Sequence, residues 1–198
     1  MSCSARENPF EVTRVESLIS FEPTWLNTSW EAILARFGEL DFRATIVGPH
    51  GSGKSTFLDD FESKLKSEGD FLICRLFLND EKKSLTQQEK IFLTNCPNHG
   101  SIIIFLDGEE QMSYLDRLEF TRVAHGFAGL LTTSHKRKRG TSVLLETKTT
   151  PMMLSDFIQR LAPDFSISDH KITDLFEETD GNIREALRKA YDLVASAN

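Results

Sequence analysis

The chain has 198 residues, 39% of them apolar and 15 of them phenylalanine, with 23 lysines and arginines against 30 aspartates and glutamates for a formal charge of −7. A chain of this size buries about 70% of its unfolded surface, which excludes disorder as the global state, and an acidic balance argues against a general nucleic-acid-coating role. The longest wholly apolar run, Ile102 to Leu106, is far shorter than a membrane span, Met1 to Phe10 lacks the apolar core of a secretory signal, and three widely spaced cysteines (Cys3, Cys74, Cys96) point to a reducing cytoplasm rather than a disulfide framework.

In chain order, residues 1–27 read as irregular, with Pro9, Pro23 and scattered aromatics. Thr28 followed by Glu31 is a capping box, and Trp30, Ile33, Leu34 and Phe37 at helical spacing predict a helix from about Ser29 to Phe37, closed by Gly38. Ala44 to Val47 is a short apolar run ending at Gly48-Pro49 and reads as a buried strand. Phe57, Phe61 and Leu65 recur every four residues, so Lys54 to about Lys66 is an amphipathic helix. Phe71 to Leu78 reads as a second strand, Leu85 to Leu93 as a helix and Ser101 to Leu106 as a third strand rich in β-branched residues. A helix from Tyr114 to Ala124 then leads to strands at Ala128 to Thr133 and Ser142 to Glu146. Strands that read as continuous apolar runs and alternate with helices imply an α/β fold with a parallel sheet covered on both faces. From Pro151 the strands stop, and Met152 to Leu161, Ile172 to Glu178 and Asn182 to Val194 form a helical lid; the expected division is 1–27, 28–150 and 151–198.

The run Gly48-Pro49-His50-Gly51-Ser52-Gly53-Lys54-Ser55-Thr56 fits G-x-x-x-x-G-K-[ST] between a strand and a helix. Glycines let the backbone curl so that successive N–H groups face one anion, the helix N-terminus adds positive potential, and Lys54 supplies a cation for the β- and γ-phosphates. Ser55 is placed to ligate Mg²⁺ through its hydroxyl. The other reading of this stretch is a glycine-rich turn with no ligand.

On these residues the sequence resembles a P-loop NTPase. Ile102-Ile103-Ile104-Phe105-Leu106-Asp107 is similar to the Walker B strand of that superfamily, whose Asp orders the Mg²⁺ shell at the C-terminal edge of the sheet. A whole strand–helix unit lies between the loop and Asp107, as in the AAA+ and STAND branch; the resemblance implies a three-layer fold with a five-stranded parallel sheet in the order 5-1-4-3-2. No N-K-x-D guanine motif is present, which favours ATP over GTP. The segment Asp107-Gly108-Glu109-Glu110-Gln111 has Gly where many AAA+ proteins carry the water-activating glutamate, and its D-G-x-E spacing is closer to the NACHT and STAND pattern. Glu110 is then the first choice for the general base and Glu109 the second, the alternative being that both serve the N-terminus of the helix beginning near Met112.

Leu130-Leu131-Thr132-Thr133-Ser134-His135 looks like a strand ending in the polar sensor 1 of AAA+ and NACHT proteins. Which hydroxyl faces the site depends on register, with Thr133 or Ser134 preferred over Thr132, and strand propensity is the competing explanation for the threonines. Gly181-Asn182-Ile183-Arg184 is similar to the opening of the AAA+ lid helix whose Arg is sensor 2; otherwise Arg184 is a surface residue pairing with Glu185 or Asp180. Lys136-Arg137-Lys138-Arg139 lies where AAA+ proteins carry an arginine finger, so Arg137 or Arg139 is a finger, or the run is a solvated loop or a patch for a polyanion. Cys96-Pro97-Asn98-His99 lacks a second Cys/His pair and reads as a turn rather than half a zinc site.

The reading is a cytoplasmic ATPase of AAA+ or STAND type that binds ATP and Mg²⁺, hydrolyses slowly and uses its lid to report nucleotide state to a partner protein or a second copy of itself, with no membrane and with nucleic acid not indicated. Two alternatives stand beside it. A P-loop small-molecule kinase would carry an Arg-rich lid between strands and an Arg near Asp59-Asp60-Phe61-Glu62, which this chain lacks. A nucleotide-gated binding module would hold ATP without turnover if Gly108 means that the base is missing.

Overall fold

The computed structural model describes residues 20–96, 99–163 and 166–197, so the irregular segment up to residue 19 and the Pro97-Asn98 turn lie outside the described residues. The chain forms two compact units, one of residues 22–48 and 54–147, the other containing residues 49–53 and the chain from Lys148 onward.

The larger unit is built on β1 (Arg43–Val47), β2 (Leu72–Phe77), β3 (Ile102–Asp107), β4 (Gly129–Ser134) and β5 (Val143–Glu146), interleaved with α1 (Trp30–Glu39), α2 (Lys54–Glu68), α3 (Gln87–Asn95) and α4 (Tyr114–Ala124). The strands form one sheet in the order β2-β3-β4-β1-β5, the expected 5-1-4-3-2 read from the other edge. Every strand pair is parallel. Parallel pairing requires a crossover between consecutive strands, and the crossovers cover the faces that the apolar strand residues cannot expose.

Strand β3 is buried at all six positions, and its alternation assigns the faces. Ile102, Ile104 and Leu106 join Leu93 of α3 and Phe120 and Ala124 of α4 in one apolar cluster. The odd positions point the other way, where the Phe105 ring stacks on Phe61 of α2, with centroids 6.1 Å apart. Phe61 in turn stacks on Phe57 at 5.1 Å and meets Phe37 of α1 edge-on at 5.4 Å. Asp107 shares the parity of Ile103 and Phe105, so it emerges on the side of the sheet that α2 covers.

Helix ends follow side-chain caps. Ser29, not Thr28, caps α1 by accepting from the Ala32 N–H, and α1 runs through Gly38 to Glu39. Helix α3 starts at Gln87 rather than Leu85 because Thr86 and Glu89 form a complete capping box. At the far end of α4, the Arg43 guanidinium donates to the carbonyls of Ala124, His125 and Phe127, satisfying acceptors that a helix terminus leaves open.

The smaller unit contains α5 (Pro151–Leu161), α6 (Asp169–Glu177) and α7 (Ile183–Ala197). Thr150 caps α5 and Ser168 caps α6, the latter starting that helix three residues before the expected Ile172. Each helix touches the other two. Their shared core comprises Leu154, Phe157, Ile158 and Leu161 of α5, Ile172 and Leu175 of α6, and Ile183, Ala186, Leu187 and Ala190 of α7, the last four at the spacing of one helical face.

No helix among the described residues is long and apolar enough to cross a membrane. The aromatic stack is the mechanical centre of the larger unit, so Phe61→Ala is expected to cost about 3–5 kcal/mol, as truncating a fully buried Phe does. Urea unfolding with an unchanged m-value measures this loss.

Candidate nucleotide site

Helix α2 begins at Lys54 and β1 ends at Val47, so the glycine-rich run links a strand to a helix. Within it, Gly51 and Gly53 adopt φ of 66° and 83°, a region open to glycine and strained for other residues. The Ser52 hydroxyl donates to the Pro49 carbonyl at 2.8 Å, closing the turn. A Cβ on Gly51 would overlap the side-chain oxygen of Asn182 and come within 3.2 Å of its Cα. Asn182 also accepts from the Glu185 N–H at 3.2 Å, so the residue that caps the start of α7 is in contact with the loop.

Lys54 is buried, with Nζ donating to the Gly48 carbonyl at 2.7 Å. Burial pushes its pKa below the usual lysine value, against the attraction of Glu110 and Asp107. The chain therefore folds its cation back onto its own backbone beside two carboxylates.

Ser55, one residue into α2, donates to Asp107 Oδ2 at 2.6 Å. The other carboxylate oxygen, Oδ1, accepts from the Thr133 hydroxyl at 2.6 Å, and Thr133 Oγ1 accepts from the Gly108 N–H at 2.9 Å. The three hydroxyls of β4 thus have separate partners. Thr132 meets Thr45 at 2.9 Å, Thr133 meets Asp107, and Ser134 donates to the Lys136 carbonyl at 3.1 Å. Alternation along the strand separates Thr133 from its neighbours.

After Asp107 the chain turns at Gly108, whose φ of 86° and ψ of 33° are left-handed. A Cβ there would collide with the Leu78 carbonyl oxygen. Leu78 N donates to the Asp107 carbonyl at 2.9 Å, which holds the two backbones together. A glutamate directly after the aspartate has no room, and the acidic residues follow on the next turn, Glu109–Gln111. That turn is distinct from α4, which Ser113 caps by accepting from the Asp116 N–H; neither glutamate serves as the cap of α4.

Glu109 and Glu110 have different surroundings. Glu109 is nearly buried, with Oε1 3.4 Å from Arg117 Nε and Oε2 3.0 Å from Lys138 Nζ. Glu110 Oε1 lies 3.0 Å from His135 Nε2, and its Oε2 is buried with no hydrogen-bond donor among the described residues. These links were not legible in the sequence, because no local spacing joins residue 109 to 138 or 110 to 135. In the basic run, Arg137 pairs with Glu146 as well. Lys136 and Arg139 are exposed and make no ion pair among the described residues.

Arg184 is exposed, and Glu185 pairs with Arg188 rather than with it. The Gly108 geometry predicts that Gly108→Ala destabilises the protein by about 1–3 kcal/mol through the forced left-handed residue and the displaced Leu78 carbonyl. The thermal midpoint of the variant checks it; a midpoint equal to the parent's would mean that the turn can reopen freely.

No protein-family model matches the sequence, and comparison with curated proteins finds no match. Solved structures do match. A structure of Drosophila ORC bound to DNA aligns with 96% of this chain at a TM-score of 0.59 and 13% identity. Cdc6p from Pyrobaculum aerophilum aligns with 80% at 0.55 and 14%, and a K64R mutant of RuvB from Thermotoga maritima with 89% at 0.51 and 18%. The chain spans 61%, 58% and 60% of those three chains. All three are AAA+ P-loop folds, and the five-stranded parallel sheet with its helices gives this chain the same α/β P-loop type of fold.

Proposed function

We propose that the chain binds ATP with Mg²⁺ through Gly48, Pro49, His50, Gly51, Ser52, Gly53, Lys54, Ser55 and Thr56, and hydrolyses it slowly with Glu110 as general base. The observation that carries this reading is the direct bond between Ser55 and Asp107, 2.6 Å long, at the end of the strand adjacent to a buried lysine.

A hydroxyl and a carboxylate are the hard oxygen donors that Mg²⁺ takes, usually together with waters and phosphate oxygens. Ser55 and Asp107 are the residues that would hold it. When bound it adds positive charge against the phosphate oxygens. Lys54 Nζ donates to the neutral Gly48 carbonyl, and a phosphate oxygen is a stronger acceptor. The loop N–H groups and the first turn of α2 supply the remaining donors for the anion.

Thr133 fixes Asp107 from the side opposite Ser55 and so sets the direction of that carboxylate. Glu110 is the better base because one of its oxygens has no hydrogen-bond donor among the described residues, whereas both oxygens of Glu109 face cations. Arg184, exposed at the first turn of α7, is the residue offered to a phosphate when the helical unit moves, and that unit is the part offered to a partner protein or second copy. Arg137 is engaged with Glu146, which leaves Arg139 as the member of the run suited to a finger. Two of the four cations sit in ion pairs, so the run is a weak polyanion patch, and a nucleic-acid partner is not indicated for this chain. The reducing-compartment reading of the cysteines supports a cytoplasmic location.

Lys54→Ala is expected to abolish MgATP binding by titration calorimetry while lowering stability by only about 1 kcal/mol, the worth of one hydrogen bond. Glu110→Gln is expected to bind MgATP like the parent and to release phosphate 10²- to 10⁴-fold more slowly, about what general-base help contributes. Binding without any phosphate release in the parent would make the chain a nucleotide-gated module.

A further inference from the structure

We propose that His135 is the positioning residue for Glu110, fixing one carboxylate oxygen so that the other faces the attacking water, and that its protonation lowers turnover. The proposal rests on the reading of Glu110 as base.

The geometry singles out the pair. His135 follows the last residue of β4 and lies two residues after Thr133, which bonds Asp107, so both acidic residues find partners at the end of the same strand. Nε2 sits 3.0 Å from Glu110 Oε1. The second oxygen of Glu110 is buried and has no donor among the described residues. An unsatisfied buried acceptor is costly, and a water bound for the phosphate would satisfy this one. Glu109, one residue earlier, has a cation on each oxygen, Arg117 from α4 and Lys138 from the loop after β4.

The charge on His135 matters for the same reason. With Nε2 carrying its proton and Nδ1 bare, the neutral imidazole donates to Glu110 and orients it without adding charge. A second proton on Nδ1 makes the ring a cation against the carboxylate and lowers the tendency of Glu110 to take a proton from water. Among the other charges, Lys54 at the start of α2 interacts favourably with this carboxylate and with Asp107 at the end of β3. Arg117 and Lys138 are spent on Glu109, and Lys136 follows His135 in the chain. Imidazole is the side chain that changes charge between about pH 5 and 8, so the effect of protonating His135 falls on the acid limb of turnover.

The test measures kcat and KM for MgATP from about pH 5.5 to 8.5 in the full chain, its His135→Gln and His135→Ala variants, and Glu110→Gln as reference. Gln keeps an N–H donor but does not titrate, so its kcat should hold near the parent's at high pH while the acid limb moves down by about one unit or more. Ala should lower kcat roughly tenfold across the range, a fraction of what the base itself contributes, with KM and MgATP affinity unchanged. A His135→Gln profile that superimposes on the parent's, beside a Glu110→Gln variant that has lost turnover, overturns the role of His135 and leaves the base in place. Parent-like turnover in Glu110→Gln, or none in the parent, overturns the base assignment and the proposal with it. Loss of MgATP affinity in both His135 variants would make the residue structural and also overturn it.

Discussion

Both oxygens of Asp107 are taken by hydroxyls from neighbouring elements, and much of the larger unit is arranged so that this can happen. The carboxylate sits almost out of solvent, where an unpaired charge would be prohibitively costly. Ser55 reaches it because α2 covers the face of the sheet to which the odd residues of β3 point, and α2 is held on that face by the Phe61 and Phe105 rings. Thr133 reaches it because β4 is hydrogen-bonded beside β3, with Leu106 opposite Thr132. A sheet, a helix and an aromatic stack thus converge on one acidic group, and the group in turn ties the first turn of α2 to two strand ends.

The same economy governs the acidic segment that follows. An excess of negative charge in the chain would lead to an expectation of repulsion around Asp107, Glu109 and Glu110, yet each has its own hydroxyl, cationic or imidazole counterpart drawn from a different element. Glu109 connects α4 to the loop after β4 through Arg117 and Lys138, and Glu146 at the end of β5 holds Arg137. The four-cation run is thereby pinned at two points, and this explains why it need not behave as the polyelectrolyte its composition suggests.

What could be seen in the sequence was whatever depends on neighbours along the chain. The strands stood out because buried parallel strands are continuous apolar runs, as Ile102–Leu106 is, and the glycine-rich run was legible because a strand and a helix flank it. Boundaries slipped by one to three residues where a cap decided them: Ser29 outcompeted Thr28, and the Thr86–Glu89 box, visible as T-x-x-E, went unread. The hydroxyls of Thr132, Thr133 and Ser134 could not be separated without a register, which only the pairing of β4 supplies. The distinction between Glu109 and Glu110 lay wholly in contacts with residues 117, 135 and 138, which no local spacing along the chain reveals.

The close approach of Asn182 to Gly51 bears on how such a chain can diverge. Positions inside a phosphate loop other than its fixed glycines, lysine and serine are ordinarily read as tolerant, since their side chains point away from the ligand. Here the volume beside residue 51 is already occupied by a side chain from the C-terminal helical unit. A descendant with any larger residue at 51 must also shorten residue 182 or move the start of α7, so drift at these two distant positions is coupled: the loop's tolerance is set by the other end of the sequence.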